Sequence, residues 1–282
     1  MQGWQFLILG AILICTACED MSEADTEEPQ SVWTLVDDFE SGLERWSHVD
    51  AENNTDPFVA DPQIAEIRVD ARTDDHFLLR KPAADGIVGN RKAISFTPLP
   101  IAVDVGETYT FYTRFSVEYF PNNQSFGLAN VSASEIPNED YNSFEVMIRV
   151  TDKTEGNGYK NDGILQVLGG GEMRYSNIVN PATAQSAQPL LTDEWYEVWY
   201  VVNNAPSAEG GQRYDLYVRG GEFSSQELVF EDAVFRMGRA SPLQFFMTIC
   251  NTGPKDMPYG NGGVRYDDIY MTPGRELSSP IE

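Results

Sequence analysis

The chain predicts an all-β fold: two antiparallel sheets packed face to face as a β-sandwich. Three observations carry that expectation. Apolar and polar residues alternate with period two along several segments, Gly- and Pro-rich turns separate those segments, and no stretch shows a long helical period between caps. With 282 residues, 23 Gly, 16 Pro and 12% aromatic residues, the chain has the turns and the aromatic side chains that pleated, half-buried strands favour.

From the N-terminus, an apolar stretch runs from Phe6 to Ile14. At about nine residues it is too short to cross a bilayer core of ~30 Å, but it has the length of a signal-peptide core. Small Thr16 and Ala17 then precede Cys18. This pattern resembles a bacterial lipobox. The resemblance implies export with residues 1–18 as the signal segment, acylation of Cys18, and a membrane contact made only through that lipid anchor at a cell surface. Residues 19–31 carry several carboxylates, no Lys or Arg and almost nothing apolar. Self-repulsion and the lack of core-forming side chains predict a disordered tether there. One folded domain is expected over 32–274 without a linker or repeat, followed by a tail over 275–282.

Within the domain the alternation assigns faces. Over 108–119, Tyr109, Phe111, Phe115, Val117 and Tyr119 share one face, and Arg114, Ser116 and Glu118 take the other. Over 143–151, Phe144, Val146, Ile148 and Val150 point inward, with Glu145 and Arg149 opposite. The segment 195–202 is apolar on both faces, as expected of a central strand covered on both sides; Trp195 and Trp199 share a face by parity. Further strands are predicted at 65–69, 76–80, 93–97, 126–132, 164–168, 213–218, 228–230, 243–250 and 264–271.

Charge and cysteine usage exclude other classes. Nineteen Lys and Arg against 44 Asp and Glu give a net charge of -25. Such a surface repels phosphate backbones, so no nucleic-acid partner is expected. Cys250 is the lone cysteine of the domain and cannot form an internal disulfide; its neighbours Phe245 to Ile249 predict a buried small hydrophobe.

The two ends of the domain carry the most specific motifs. The opening Asp37-Asp38-Phe39-Glu40, continuing to Trp46, looks like the first strand of many bacterial carbohydrate-binding jelly rolls. The closing Val264-Arg-Tyr-Asp267-Asp268-Ile-Tyr-Met271 looks like their last. Over roughly residues 32–274 the domain thus resembles the concanavalin A-like lectin/glucanase (LamG-type) group. The resemblance implies a jelly roll whose first and last strands lie side by side, a polysaccharide or oligosaccharide partner, and a structural Ca2+. Calcium takes several hard oxygen ligands, which makes Asp38, Glu40, Asp267 and Asp268 its candidates.

No catalytic residue is assigned. Lyases of this fold resemble one another in pairing an Arg-rich strand with Gln, His and Tyr, where Arg neutralises the uronate carboxylate and Tyr or His moves a proton. Here their Gln-Ile-His run is replaced by Gln166-Val167-Leu168, and the two histidines, His48 and His76, lie early in the chain. The alternating Glu and Asp that set retaining glucanase carboxylates about 5–5.5 Å apart are missing too. A sugar-binding face remains: rings stack on the apolar faces of sugars, while polar side chains bridge their hydroxyls. Arg114, Glu145, Arg149, Gln166, Trp199, Tyr217 and Gln244 form that candidate set if their strands line one concave sheet. Three readings stay open: non-catalytic polysaccharide binding by an exported lipoprotein, a lyase or glycoside hydrolase of the same fold, and a structural or adhesive surface protein.

Overall fold

The alternating segments form strands, and their parity decides which side chains meet between the sheets. The computed structural model describes residues 32–169 and 175–281. The expected signal segment, Cys18 and the tether lie outside the described residues. In chain order the strands begin β1 (Thr34–Asp37), β2 (Ser47–Asp50), β3 (Asn53–Asp56), β4 (Ile64–Asp70), β5 (Asp75–Lys81), β6 (Val88–Asn90) and β7 (Ala93–Val103). Next come β8 (Thr108–Val117), β9 (Asn123–Ala129), β10 (Phe144–Thr151), β11 (Gln166–Leu168), β12 (Tyr175–Asn177), β13 (Val179–Asn180) and β14 (Gln185–Ser186). The chain closes with β15 (Trp195–Asn203), β16 (Arg213–Gly220), β17 (Phe223–Val234), β18 (Leu243–Cys250) and β19 (Val264–Pro273).

One sheet has the order β17-β16-β15-β8-β19-β5-β4, with β1 also pairing β19; the other runs β12-β11-β10-β9-β18-β7-β2. Every pairing in both is antiparallel. The result is the two-sheet jelly roll that the sequence predicts. Its first and last strands lie side by side, with Thr34 opposite Met271 and Leu35 opposite Tyr270. The opening motif has a local cause. Asp37 accepts hydrogen bonds from the Phe39 amide at 2.9 Å and the Trp46 indole at 2.7 Å, and these fix the entry into the sandwich.

Between the sheets, Phe111, Phe115, Tyr196, Tyr200 and Tyr266 of the eight-stranded sheet meet Phe126, Val146, Ile148 and Phe246 of the other. Phe126 is the joint: its ring lies 5.4 Å from both Phe115 and Tyr266. Cys250 is fully buried, and burial lifts its thiol pKa to about 11, so it is a packing residue.

The outer face of the eight-stranded sheet is aromatic: Trp33, Tyr112, Trp199, Tyr217 and Tyr270, with Leu277 packed among them. Leu277 belongs to the C-terminal tail over 275–282 and packs on the sheet. The Trp199 indole donates to the Ser278 carbonyl at 3.0 Å, and Gln226 donates to the Leu277 carbonyl at 3.0 Å. Residues past 274 therefore belong to the domain, because the rings beneath them would otherwise face water. Truncation after Gly274 is expected to cost roughly 2 kcal/mol, the burial of one large aliphatic side chain. A chemical denaturation series on the truncated and full chains measures it, with increased binding of a hydrophobic dye by the truncated form.

Candidate functional site

The seven candidate sugar-binding residues do not share a face. Outward on β8, β15 and β16 means the outer side of the eight-stranded sheet, whereas outward on β10 and β11 means the opposite side of the molecule. Arg114, Trp199 and Tyr217 thus lie on the eight-stranded sheet, the last two beneath the C-terminal segment. Gln244 sits exposed at a register shift at the start of β18. Glu145 is wholly buried, and its carboxylate accepts the amides of Met237, Gly238 and Arg239 at 3.0, 2.8 and 3.2 Å. It holds a loop and offers nothing to a ligand.

Arg149 and Gln166 do converge. They sit opposite one another on β10 and β11, and Gln166 in turn opposes Asn177 on β12. Side chains directly opposite across a ladder project to the same face, so the three form one row. The row is knitted into a network. Gln166 Nε2 donates to Asn177 Oδ1 and Asn161 Oδ1, both at 2.9 Å, and Asn161 donates to Glu155 Oε1 at 2.9 Å. Arg149 donates to the same Glu155 oxygen at 2.6 Å and lies 4.3 Å from the centre of the Tyr175 ring. Arg149 and Gln166 are almost fully buried as a floor; Tyr175, Asn177 and Glu155 are half-buried at its rim.

Lys153 completes the cluster. Its ammonium is 3.1 Å from Glu155 Oε2 and 4.6 Å from the centre of the Tyr259 ring. Burial, with the Arg149 charge beside it, lowers the Lys153 pKa. Burial alone would raise Glu155, but the Arg149 charge and its hydrogen bonds hold that carboxyl below its ordinary value. Nearby, Glu52 pairs with Arg91 at 2.8 Å and Lys92 at 3.2 Å, and Asp140 takes Lys92 at 2.6 Å. These ion pairs hold four cations and three carboxylates, a local positive excess in a chain of net charge -25. Parity located Arg149 and Gln166. Lys153, Glu155, Asn161 and Tyr259 come from loops, where no periodicity assigns a face, and Asn177 from a strand too short to show one. The charged run Asp152-Lys153-Thr154-Glu155, at the end of a wholly buried strand, was the available signal.

No family model matches the chain, and no curated protein matches it in sequence. Among solved structures it is similar to an alginate lyase from Aplysia kurodai, with 11% identity over 76% of this chain and 88% of that one, at a TM-score of 0.49. It is also similar to a GH131 β-glucanase catalytic domain from Podospora anserina, with 10% identity over 88% and 100%, at 0.49. Peanut lectin gives 7% identity over 83% and 98%, at 0.44. The sandwich is established by the strand pairing itself. At such identities and scores these likenesses carry no activity or ligand across.

The acidic pair of the last strand forms a second cluster. One carboxylate oxygen each of Asp75, Asp267 and Asp268 lie within 4.8 Å of one another. Asp38 is close enough to act on Asp268 electrostatically, whereas Glu40 turns to the His76 ring at 2.7 Å. Calcium takes about six to eight oxygens at roughly 2.3–2.6 Å. Here a guanidinium nitrogen of Arg114 stands 2.6 Å from Asp268, 3.2 Å from Asp267 and 3.5 Å from Asp75. The three carboxylates are oxygen ligands of the kind a structural Ca2+ takes, and in this structure they share the Arg114 cation.

One guanidinium does not neutralise three carboxylates. Burial first, and the Asp268 charge second, push the Asp267 pKa to about 9. The folded pKa lies above the unfolded value, so this group's stabilising contribution is complete below about pH 4 and is lost as pH rises toward 9. Asp267→Asn removes the titration. Relative to the parent, the variant should gain about 4 kcal/mol between roughly pH 5 and pH 8, measured by denaturant unfolding at both.

Proposed function

We propose that this chain binds a polysaccharide, and that the polar floor on the outer face of the seven-stranded sheet takes an acidic one, rich in uronate carboxylates. The observation that carries this is the shared carboxylate: Glu155 serves both Arg149 and Lys153, so the patch lacks one negative charge. A uronate carboxylate supplies it in a partly desolvated place, where charge-assisted hydrogen bonds are strong. The rings of Tyr175 and Tyr259 stand beside the two cations and offer faces for sugar C–H groups. The amides of Gln166, Asn161 and Asn177 are held by one another, so little ordering is lost on binding.

Titration calorimetry with a polyuronate and a neutral glucan of equal length tests the reading. Polyuronate binding should weaken about tenfold in Lys153→Ala, a loss near 1.4 kcal/mol, and should fall as salt rises. Preference for the neutral glucan, or indifference to Lys153, overturns it.

A second reading, a polyuronate lyase, has its own support in the lowered pKa of Lys153. A neutral amine at Nζ can take the proton beside a carboxylate that Arg149 holds, and a tyrosine hydroxyl can return one to the leaving oxygen. Incubation with polyuronate distinguishes the two. Unsaturated products absorbing in the ultraviolet, lost in Lys153→Ala, mark the lyase; unchanged polymer marks the binder.

We further infer that the domain works at a cell surface, anchored through Cys18. The support is the apolar stretch, the small residues before Cys18 and the acidic stretch after it. Cys18→Ala is expected to move the protein from the membrane fraction to the soluble one, as seen by fractionation and immunoblot.

A further inference from the structure

The sandwich has one edge where β2 ends the seven-stranded sheet and β4 ends the eight-stranded one. A cavity of about 650 Å³ opens there, lined by His48, Asp50, Asn53, Phe58, Asp61 and Gln63 among others. Its size falls within the range of small-molecule sites, about 300–1,000 Å³.

Its wall combines a fixed aromatic ring with polar groups that have capacity to spare. Phe58 is 74% exposed, the most exposed large apolar residue among those described. The loop that presents it is tied on both sides of the neighbouring residue. Asn53 Nδ2 donates to the Val59 carbonyl at 2.8 Å, and the Val59 amide donates to Thr55 Oγ1 at 2.8 Å. A ring held out in water by such a loop has no packing role to explain it. Beside it, Gln63 Oε1 is buried without a hydrogen-bond partner. Asp50 takes Asn90 Nδ2 at 2.6 Å and also accepts from the Gln63 side chain and backbone, which fixes the two wall residues to each other. His48 Nδ1 lies 2.7 Å from Ser95 Oγ, which leaves Nε2 for the cavity.

Charge narrows the ligand class. No cation lines the cavity, while Asp50 and Asp61 do, so an acidic sugar is repelled. The charged groups around His48 are Arg80, which is wholly buried and donates to the Ile64 and Ala93 carbonyls at 3.0 and 3.3 Å, and Asp50 on its own strand. Burial, then the Arg80 charge, lower the His48 pKa to about 4, so its ring is neutral at ordinary pH. What remains is a ring face, an imidazole, an amide oxygen and a carboxylate, all suited to hydroxyl groups.

We propose that this edge cavity is a second saccharide site, one that takes a neutral sugar unit stacked on Phe58 with its hydroxyls bridging Gln63, Asp50 and His48. It lies apart from the Arg149 floor and does not depend on the reading of that floor. Two sites of opposite charge preference on one domain would let it hold a mixed or branched glycan with a gain from linkage.

Protein-observed NMR or calorimetry with neutral gluco-, manno-, galacto- and xylo-oligosaccharides tests it on the whole chain. At least one should bind saturably and weaken about tenfold or more in Phe58→Ala. Phe58 is exposed, so the variant should melt with the parent; Gln63→Ala gives a second, independent loss. The proposal is overturned if no neutral oligosaccharide binds up to ~10 mM, or if binding is indifferent to both substitutions. Polyuronate binding followed in Phe58→Ala and Lys153→Ala keeps the two sites separate, because each variant should impair one ligand only.

Discussion

Phe111 stacks on Tyr200 within one sheet, and Phe115, Phe126 and Tyr266 meet edge and face across the gap between both. This aromatic layer is the constraint from which the remaining structure follows. A strand that commits alternate side chains to it commits the others outward, and a one-residue slip would exchange the two sets. The row Arg149, Gln166 and Asn177 owes its shared direction to Val146, Ile148 and Val150 facing Phe126 and its neighbours.

The two outer faces meet water differently. On the eight-stranded sheet the aromatic patch is too apolar to be left open, and the segment through Leu277 and Ser278 closes it with backbone carbonyls that receive an indole and an amide. On the seven-stranded sheet Phe96, Met147, Met247 and Ile249 form an apolar cluster closed by Ile136 and Phe144, and beside it the row of Arg149, Gln166 and Asn177 is polar and mutually hydrogen-bonded, so that row can face a ligand. Buried polar networks of this kind hold their geometry when every member is partnered.

Arginine recurs as an internal cation. Arg114 gathers three carboxylates, Arg149 is shared with Lys153 over one, and Arg80 lies wholly buried on a threonine and two carbonyls. The planar guanidinium spreads its charge over several fixed donors, which suits it to these crowded places. In a chain this acidic, each such placement sets the local sign of charge against the sign of the whole.

The amino-acid sequence by itself determined the sandwich, its longer strands and most of their inward residues, because period-two alternation and turn residues are local signals that burial then obeys. Phe144, expected inward, instead packs in the outer cluster past a register shift, and the pairing of the two ends came from the family resemblance of their motifs. The sequence also singled out Arg149 and Gln166 as outward. Tertiary structure alone decided which outward residues share a face. Parity is blind to the sheet a strand joins, so Trp199 and Arg149 read alike in sequence and stand on opposite sides of the molecule. Loops carry no period, so Lys153, Glu155 and Phe58 gained their roles only from where the folded chain sets them down. β8 also brings Arg114 against the last-strand carboxylates, a contact between residues more than 150 positions apart that no local pattern encodes.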